Sequence, residues 1–545
     1  LPEREQPMTL MSRLVARLLK LPPAETYEVD VQKNMPIPMP DGVILLADHY
    51  TPRSLSRRPT LPMMAPYRST RHNEFFNRLY AERGFQVLAV SSRGAEGSGG
   101  QLDPFRQERA DAQAVVAWLA QQDWFTGELV ASGPSYLGFT SWAFAAAAGP
   151  MLKALSAQLT SADFRSMWYP GDALFLDGVL GWISVIAHPG SRPADGARKL
   201  KKLMTHLPLK ALGALAFGTS YPIWHDILAH EQPGDPWWNP ADFRQEIQQI
   251  TASTHLLSGW YDFMLPALLR DYAALVRAGR QPFLTVGPWT HFGGAAAPER
   301  ANEEMLWLRE HTLGGPRLRE MPVHLYVMGV NEWRDLPSFP PPGVRPQRWY
   351  LQPEGALAPT LPPTSSPDRY RYDPSDPTPS VGGAGIGTEP ERQDNRALEA
   401  RPDVLTFTSP ALERDLEVIG PVSAELFVRS SLEHTDFFVR ITDVESSGKS
   451  MNVCDGLQRL APGRPVPQSD GYLKVNIELW PTAYRFHCGH RLRIQVSSGA
   501  FPRWNRNLGT DEPLATATTM RVAEQQVYHD PEHPSHVLLP VMAGS

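Results

Sequence analysis

The hydrophobic rhythm of this chain changes twice along its length, and those two changes restrict the fold more than any other feature. In the first part, short apolar runs suited to buried strands occupy residues 27–31, 43–50, 61–66, 85–90 and 129–132, with the turn Pro40-Asp41-Gly42 between the first two. Residues 111–122 instead place Val115, Trp118 and Leu119 on one helical face. The strand pattern returns at 254–258 and 282–286, with a helical period over 265–278 between them. Strands alternating with helices predict a parallel sheet covered on both faces. Between about 149 and 251 the rhythm breaks into a stretch rich in Trp, Leu and Ala, whose helical segment 199–207 halts at Pro208. That stretch reads as a helical insertion into the sheet domain.

After about Pro340 the pattern changes again. Pro- and Gly-rich loops run to Gly387, in keeping with a proline count of 54, about twice the usual share. Strict alternation follows. Leu473, Val475, Ile477 and Leu479 are interleaved with Lys474, Asn476 and Glu478, and Leu492, Ile494 and Val496 with Arg491, Arg493 and Gln495. Val422, Ala424, Leu426 and Val428 do the same. Half-buried antiparallel strands at this density predict a β-sandwich, expected to be a jelly roll. The expected division is therefore 27–148 plus 252–340 for the sheet domain, 149–251 for a helical cap, and 341–545 for the sandwich.

The bulk properties exclude several function classes. The 52 basic and 58 acidic residues leave a formal charge of −6, too balanced for a nucleic-acid or anionic-membrane protein. Two cysteines, Cys454 and Cys488, cannot build a metal cluster or a disulfide framework, and both are expected to be buried free thiols. The longest apolar stretch, 139–152, ends at Lys153, short of a membrane span. Residues 11–19, with Arg13 and Arg17, form an amphipathic helix without the apolar centre of a signal peptide. The chain starts at Leu1, and Met8 is a candidate native start. The expected location is cytoplasmic, and the sequence leaves the oligomeric state open.

The chemistry starts at residues 129–132, which run into Gly133-Pro134-Ser135-Tyr136-Leu137-Gly138 and then an Ala-rich helix. A serine on a sharp strand-to-helix turn is the nucleophile elbow, where small neighbours allow a backbone strain that lifts Oγ clear of the sheet. The usual motif has Gly two residues after Ser; here Leu137 stands there and the Gly follows one later. Taken alone, Ser135 is as well explained as an ordinary turn residue. A serine nucleophile needs a base, and the base an orienting carboxylate. Residues 254–258 run into Gly259-Trp260-Tyr261-Asp262, and residues 282–286 into Gly287-Pro288-Trp289-Thr290-His291. Asp262 alone reads as a helix N-cap, and His291 alone as one of 16 surface or packing histidines. The order Ser, Asp, His, each at the carboxyl end of a strand, makes a catalytic triad the better reading. Tyr136, opening the helix after Ser135, offers its backbone N–H to an oxyanion. Phe263 and Met264 lie beside the acid as candidate substrate-pocket residues.

These segments resemble the cocaine esterase / X-Pro dipeptidyl-peptidase family of α/β-hydrolases. So do Arg93-Gly94 with Ser98-Gly99, Asn331-Glu332-Trp333-Arg334 and Gly489-His490-Arg491-Leu492, and the likeness spans roughly residues 27–540. The resemblance implies an α/β-hydrolase domain with an inserted helical cap and a C-terminal jelly roll, and a triad of Ser135, Asp262 and His291. It also implies that Tyr67, after the run 61–66, supplies the second oxyanion donor through its hydroxyl, since no His-Gly-Gly-Gly loop is present. Trp168 and Trp182 resemble the family's acyl-pocket aromatics, although a Trp-rich cap also packs its own core.

The expected function is a serine hydrolase that cleaves small-molecule carboxylic esters, and amides in a broader reading, with no cofactor or metal. No metal-ligand spacing such as His-Glu-x-x-His occurs. Rival readings are an X-Pro dipeptidyl aminopeptidase, an α-amino-acid ester hydrolase or β-lactam acylase, and, from another class, an inert carbohydrate-binding protein. Asp262 is followed by Phe263, Met264, Leu265 and Pro266, all apolar, which favours apolar or aromatic acyl groups over an α-ammonium. Asp163 and Asp172 are the cap carboxylates that bear on that choice.

Overall fold

The computed structural model describes residues 5–53, 55, 58–67, 71–187, 200–294, 297–386, 392–464 and 471–543. Lys199 and Gly387, which end two of the stretches read from the sequence, lie outside the described residues. The chain forms two compact units: Leu1–Arg165 with Pro236–Gly259 and Ala267–Val323, and Ser166–Asp235 with Trp260–Pro266 and His324–Ser545.

The first unit is built on a mixed sheet. Its strands are β1 (Val29–Pro38), β2 (Ile44–Pro52), β3 (Thr60–Ala65), β4 (Gln86–Ser91), β5 (Leu129–Pro134), β6 (Leu152–Gln158), β7 (Ser253–Tyr261) and β8 (Phe283–Thr290), in the order β1-β2-β4-β3-β5-β6-β7-β8. The pairs β1–β2 and β2–β4 are antiparallel, and β3 pairs parallel with both β4 and β5. The pairs β5–β6 and β6–β7 are parallel as well. The burial follows the topology. Edge strand β1 alternates between buried and exposed residues near its end, whereas β5, β6 and β7 are buried almost throughout. One sheet strand, β6, falls inside the stretch that the sequence rhythm assigns to the helical insertion. Its Lys153-Ala154-Leu155-Ser156-Ala157 run is rich in helix formers, with Ser156 the exception, and its place between two parallel strands overrides that preference.

Helices α1 (Glu5–Leu18), α2 (Arg71–Ala81), α3 (Glu108–Leu119), α4 (Tyr136–Ala148), α5 (Leu265–Arg277) and α6 (Ala297–Thr312) accompany this sheet. α3 buries Ala112, Val115, Val116 and Leu119, while Trp118 is only half-buried. α4 is apolar nearly all round, with Phe139, Trp142, Ala143 and Phe144 buried, as befits a helix in the interior. From α6, Met305, Trp307 and Leu308 pack on Leu61, Phe85, Val130 and Ala154 of the sheet. Trp307 anchors the contact by donating its indole N–H to the Leu155 carbonyl at 3.1 Å.

The second unit combines helices Leu176–Ala187, Leu212–Phe217 and Pro222–Ala229 with two antiparallel sheets. β9 (Val323–Val327) and β10 (Glu332–Leu336) precede them. The larger sheet contains β11 (Val344–Leu351), β12 (Leu357–Ala358), β13 (Asp368–Tyr372), β15 (Leu416–Ser430), β18 (Leu473–Phe486), β20 (Ala523–Tyr528) and β21 (His536–Met542). The smaller sheet contains β14 (Leu405–Thr408), β16 (Thr435–Val444), β17 (Ser450–Leu460) and β19 (Arg491–Ser497). Val475, Ile477, Leu479, Leu492, Ile494 and Val496 are buried, while Asn476, Glu478 and Arg491 face solvent, so the alternation read in the sequence marks the inner face of β18; on β19 it fails at Gln495, which is buried as well and donates to Glu399 at 2.8 Å. The cap is tied to the sandwich by Leu174 N–H to Asn505 Oδ1 at 3.1 Å and by the Trp504 indole to the Pro170 carbonyl at 3.1 Å. Cys454 is a buried free thiol as expected, but Cys488 is exposed on the turn after β18. Among the described residues no helix is long and apolar enough to cross a membrane.

Candidate active site

Ser135 stands between the end of β5 and the first residue of α4 with φ 58° and ψ −121°. A non-glycine residue with positive φ at this kind of turn costs about 1–3 kcal/mol, and the surrounding structure holds it there. Ser135 N–H donates to the Gln158 carbonyl on β6 at 2.9 Å, and the Ser135 carbonyl receives Phe139 N–H at 2.9 Å, closing the first turn of α4. The displaced glycine of the motif has a steric reason. A Cβ on Gly138 would lie 2.7 Å from Thr160 Cβ and 2.9 Å from the Gln158 carbonyl oxygen, so α4 meets the end of β6 at position 138.

His291 follows β8 directly, is 5 % exposed, and places Nε2 3.0 Å from Ser135 Oγ. That is hydrogen-bond distance for a nucleophile and its base. The two glycines that open the acid and histidine segments make room for a single residue, Trp289. A Cβ on Gly259 would come within 2.1 Å of the Trp289 carbonyl oxygen, and one on Gly287 within 2.4 Å of the Trp289 ring. The main chain of Trp289 can therefore approach β7, and its ring can fold back over Gly287, just ahead of His291, only because both neighbours lack side chains.

Asp262 comes one residue after β7, is fully buried, and falls in the second unit. Its Oδ1 accepts Met264 N–H at 3.2 Å, and its carbonyl accepts Leu265 N–H at 3.2 Å, an Asx turn that leads into α5.

Tyr136 is 1 % exposed and opens α4, where the first backbone N–H groups have no acceptor within the helix. Its hydroxyl donates to Glu108 of α3 and accepts Phe105 N–H at 3.3 Å. Tyr67, two residues past β3, is half-buried with its ring 5.8 Å from that of Tyr136 in an edge-on contact. Two buried acids that the sequence does not mark, Glu108 of α3 and Glu304 of α6, support this part of the site. Burial pushes the Glu108 carboxyl up to about 7 against the pull of the Tyr136 hydroxyl. Glu304 accepts from Ser132 of β5, from Tyr80 at 2.6 Å and from Gln158 at 2.8 Å, and burial raises its carboxyl too. The two strands that support the elbow are thus stitched together by one buried acid. In the sequence both acids sit among Arg and Ala on helices and look solvent-facing; nothing local marks them.

Trp168, Trp182, Phe263 and Met264 are all buried in the second unit. Trp168 stacks on Phe263 at 6.1 Å and meets Trp182 at 6.0 Å, and Phe175 adds a further contact to Phe263 at 5.3 Å. The structure therefore joins the three aromatic candidates into one wall. Of the cap carboxylates, Asp163 lies 3.5 Å from Arg244, and Asp172 lines a cavity of about 230 Å³ together with Met204, Arg459 and Arg506. None of the candidate site residues borders that cavity.

Comparison with known proteins places this geometry in a family. The X-Pro dipeptidyl-peptidase (S15 family) pattern matches residues 41–293, and that of the X-Pro dipeptidyl-peptidase C-terminal non-catalytic domain matches residues 318–538. Cocaine esterase of Rhodococcus sp. (strain MB1 Bresler) is 31% identical over 570 residues, covering 94% of this chain and 98% of its own. Among solved structures, an α-amino acid ester hydrolase superposes with a TM-score of 0.79 at 23% identity, covering 94% of this chain and 96% of its own. An aminopeptidase from a marine sediment Thaumarchaeota archaeon gives a TM-score of 0.78 at 22% identity, covering 96% and 98%. These two likenesses carry the fold: an α/β-hydrolase with an inserted helical cap and a C-terminal jelly roll. With its sequence likeness running almost end to end, the chain belongs to the cocaine esterase / X-Pro dipeptidyl-peptidase (S15) family of α/β-hydrolases.

Proposed function

We propose that the protein is a serine hydrolase that cleaves carboxylic esters through an acyl-enzyme on Ser135. The observation that carries this reading is Ser135 itself: a strained strand-to-helix residue whose Oγ lies 3.0 Å from His291 Nε2. In the proposed reaction His291 takes the Oγ proton as Oγ bonds to the ester carbonyl carbon. The Tyr67 hydroxyl and the Tyr136 N–H share the charge on the carbonyl oxygen. The imidazolium then gives its proton to the departing alkoxide, and water repeats the sequence to free the acid. Asp262 fills the role of the carboxylate that fixes the His291 tautomer, an assignment supported by its position just past β7 and its complete burial. The 31% identity to cocaine esterase supports ester rather than peptide substrates.

Trp168, Trp182, Phe263 and Met264 are proposed to receive the acyl group, and their apolar character favours uncharged aromatic acids over α-amino acids. An α-ammonium needs carboxylate partners when it is desolvated. Asp163 already faces Arg244, and Asp172 lines a separate cavity. The proposed setting is cytoplasmic, with a small-molecule ester as the partner. The test is kcat/KM for matched phenylacetyl and phenylglycyl esters, with Ser135→Ala as control. The proposal expects the phenylacetyl ester to be preferred and Ser135→Ala to lose at least about 10³-fold in turnover while still folded. A tenfold preference for the amine-bearing ester would point to an amino-acid ester hydrolase, and an active Ser135→Ala would remove the nucleophile assignment.

A further inference from the structure

The turn that carries Asp262 is held by residues far along the chain. Trp260 donates its indole N–H to the Tyr326 carbonyl at 2.7 Å. The Tyr261 carbonyl accepts Gly385 N–H at 3.4 Å, and the Asp262 carbonyl accepts the indole N–H of Trp480 on β18 at 3.2 Å. Trp480 is itself clamped. The Arg503 guanidinium lies 4.6 Å from its ring centroid and 4.3 Å from that of Trp504. Arg503 Nη1 donates to Asp455 Oδ1 at 2.6 Å, and Arg440 donates to Asp455 Oδ2 from Nε at 3.1 Å and Nη2 at 2.7 Å. Arg440 also reaches the carbonyls of Val381 and Gly382, at the base of the loop that presents Gly385. All three charged side chains are at least 98 % buried, being 0, 2 and 2 % exposed for Arg440, Arg503 and Asp455.

Burying two guanidiniums and a carboxylate in a sandwich core is costly, and a packed apolar trio of the same volume is often as stable. What the charged trio adds is direction: hydrogen bonds and a stacking plane that permit one orientation of the Trp480 ring and one path for the 381–385 loop. Both end on consecutive carbonyls of the Tyr261-Asp262 turn. We infer that the jelly roll sets the orientation of the proposed triad acid, with Trp480 as the positioning residue that fixes the Asp262 backbone and the Arg440–Asp455–Arg503 cluster as its support. This inference rests on the assignment of Asp262 as the triad carboxylate. It gives the sandwich a part in turnover without any contact to substrate.

The test removes one hydrogen-bond donor from Trp480. Benzothienylalanine, which replaces the indole N–H by sulfur in a ring of nearly the same size, is placed at position 480 in the full chain, beside Trp480→Phe and Asp262→Asn. Loss of a single neutral hydrogen bond predicts a fall in kcat of about tenfold. KM stays within about twofold, and the isosteric replacement melts near the wild-type temperature. In the Asp262→Asn background the same replacement has no further effect on kcat. A benzothienyl protein with wild-type kcat, or one whose effect persists undiminished alongside Asp262→Asn, overturns the inference. If Asp262→Asn itself turns over like wild type, the triad assignment falls first, and the inference with it. If Asp262→Asn is crippled while the benzothienyl protein is not, only the positioning role falls.

Discussion

Ser135, the proposed nucleophile, holds a strained backbone that suits a reactive hydroxyl. Its positive φ costs about 1–3 kcal/mol, and two backbone hydrogen bonds, to Gln158 and from Phe139, keep it there. A nucleophilic hydroxyl needs charge stabilisation nearby, and Tyr67 is the side-chain donor proposed for that task. Tyr67→Phe keeps the ring that meets Tyr136 edge-on and removes only the hydroxyl. The account expects kcat to drop by about 10²–10³ with KM little changed. A steady-state comparison on one activated ester checks this, and a rise in KM at constant kcat would make Tyr67 a binding residue instead. At this scale the sequence is informative where chemistry and chain position coincide. The approach of His291 to Ser135 is legible because each ends an apolar run. Glu108, Glu304 and Trp480 are not, since their importance comes from partners supplied by distant segments.

Among elements, the contact between α4 and β6 decides whether the elbow keeps its shape. Gly138 is the closest point, with Thr160 and the Gln158 carbonyl already within 3 Å of where a Cβ would stand. Both are main-chain or β-branched groups with little freedom to retreat. Gly138→Ala is therefore expected to destabilise the fold by about 1–3 kcal/mol, as overpacking does. It should also lower kcat, because the strain reaches Ser135 through Gln158. Denaturant unfolding and kinetics on the same preparation measure both; a variant as stable and as active as wild type would contradict this reading of the displaced glycine. β6 is also the sheet strand that its own residues mark least clearly. An Ala- and Leu-rich run looks helical until neighbours on both sides claim its backbone. Strand β18, by contrast, is legible residue by residue over 475–479, because one face there is buried and the other is not, whereas β16 is buried on both faces and shows no such alternation.

Over the whole molecule, buried titratable groups set how stability follows pH. Burial raises the carboxyls of Glu108 and Asp177 to about 7 and that of Asp271 to about 8. Such groups hold their protons more tightly folded than unfolded, so the stability they allow is complete below the unfolded range near ~4 and is lost as pH rises through 7 to 8. His49 runs the other way. Burial lowers it to about 4, so it contributes more as pH rises from there to about 6.5, its unfolded value. Above about pH 6.5 the carboxyls alone among these groups still titrate. The melting temperature is expected to fall between pH 6.5 and 8.5, and Asp271→Asn, which keeps an acceptor for the Ala162 N–H, should make that fall shallower. Calorimetric scans across the range check it, and a melting temperature that rises over the interval would contradict the assignment of these acids as protonated cores.

The central claim is that Ser135 is the nucleophile of an ester hydrolase, and covalent labelling addresses it most directly. The native protein is treated with a fluorophosphonate, residual esterase activity is followed, and the modified residue is located by peptide mass spectrometry. The account predicts one adduct per chain, on Ser135, with activity lost in proportion to labelling. An adduct on another residue that tracks the loss of activity, or full activity in protein labelled at Ser135, would contradict it.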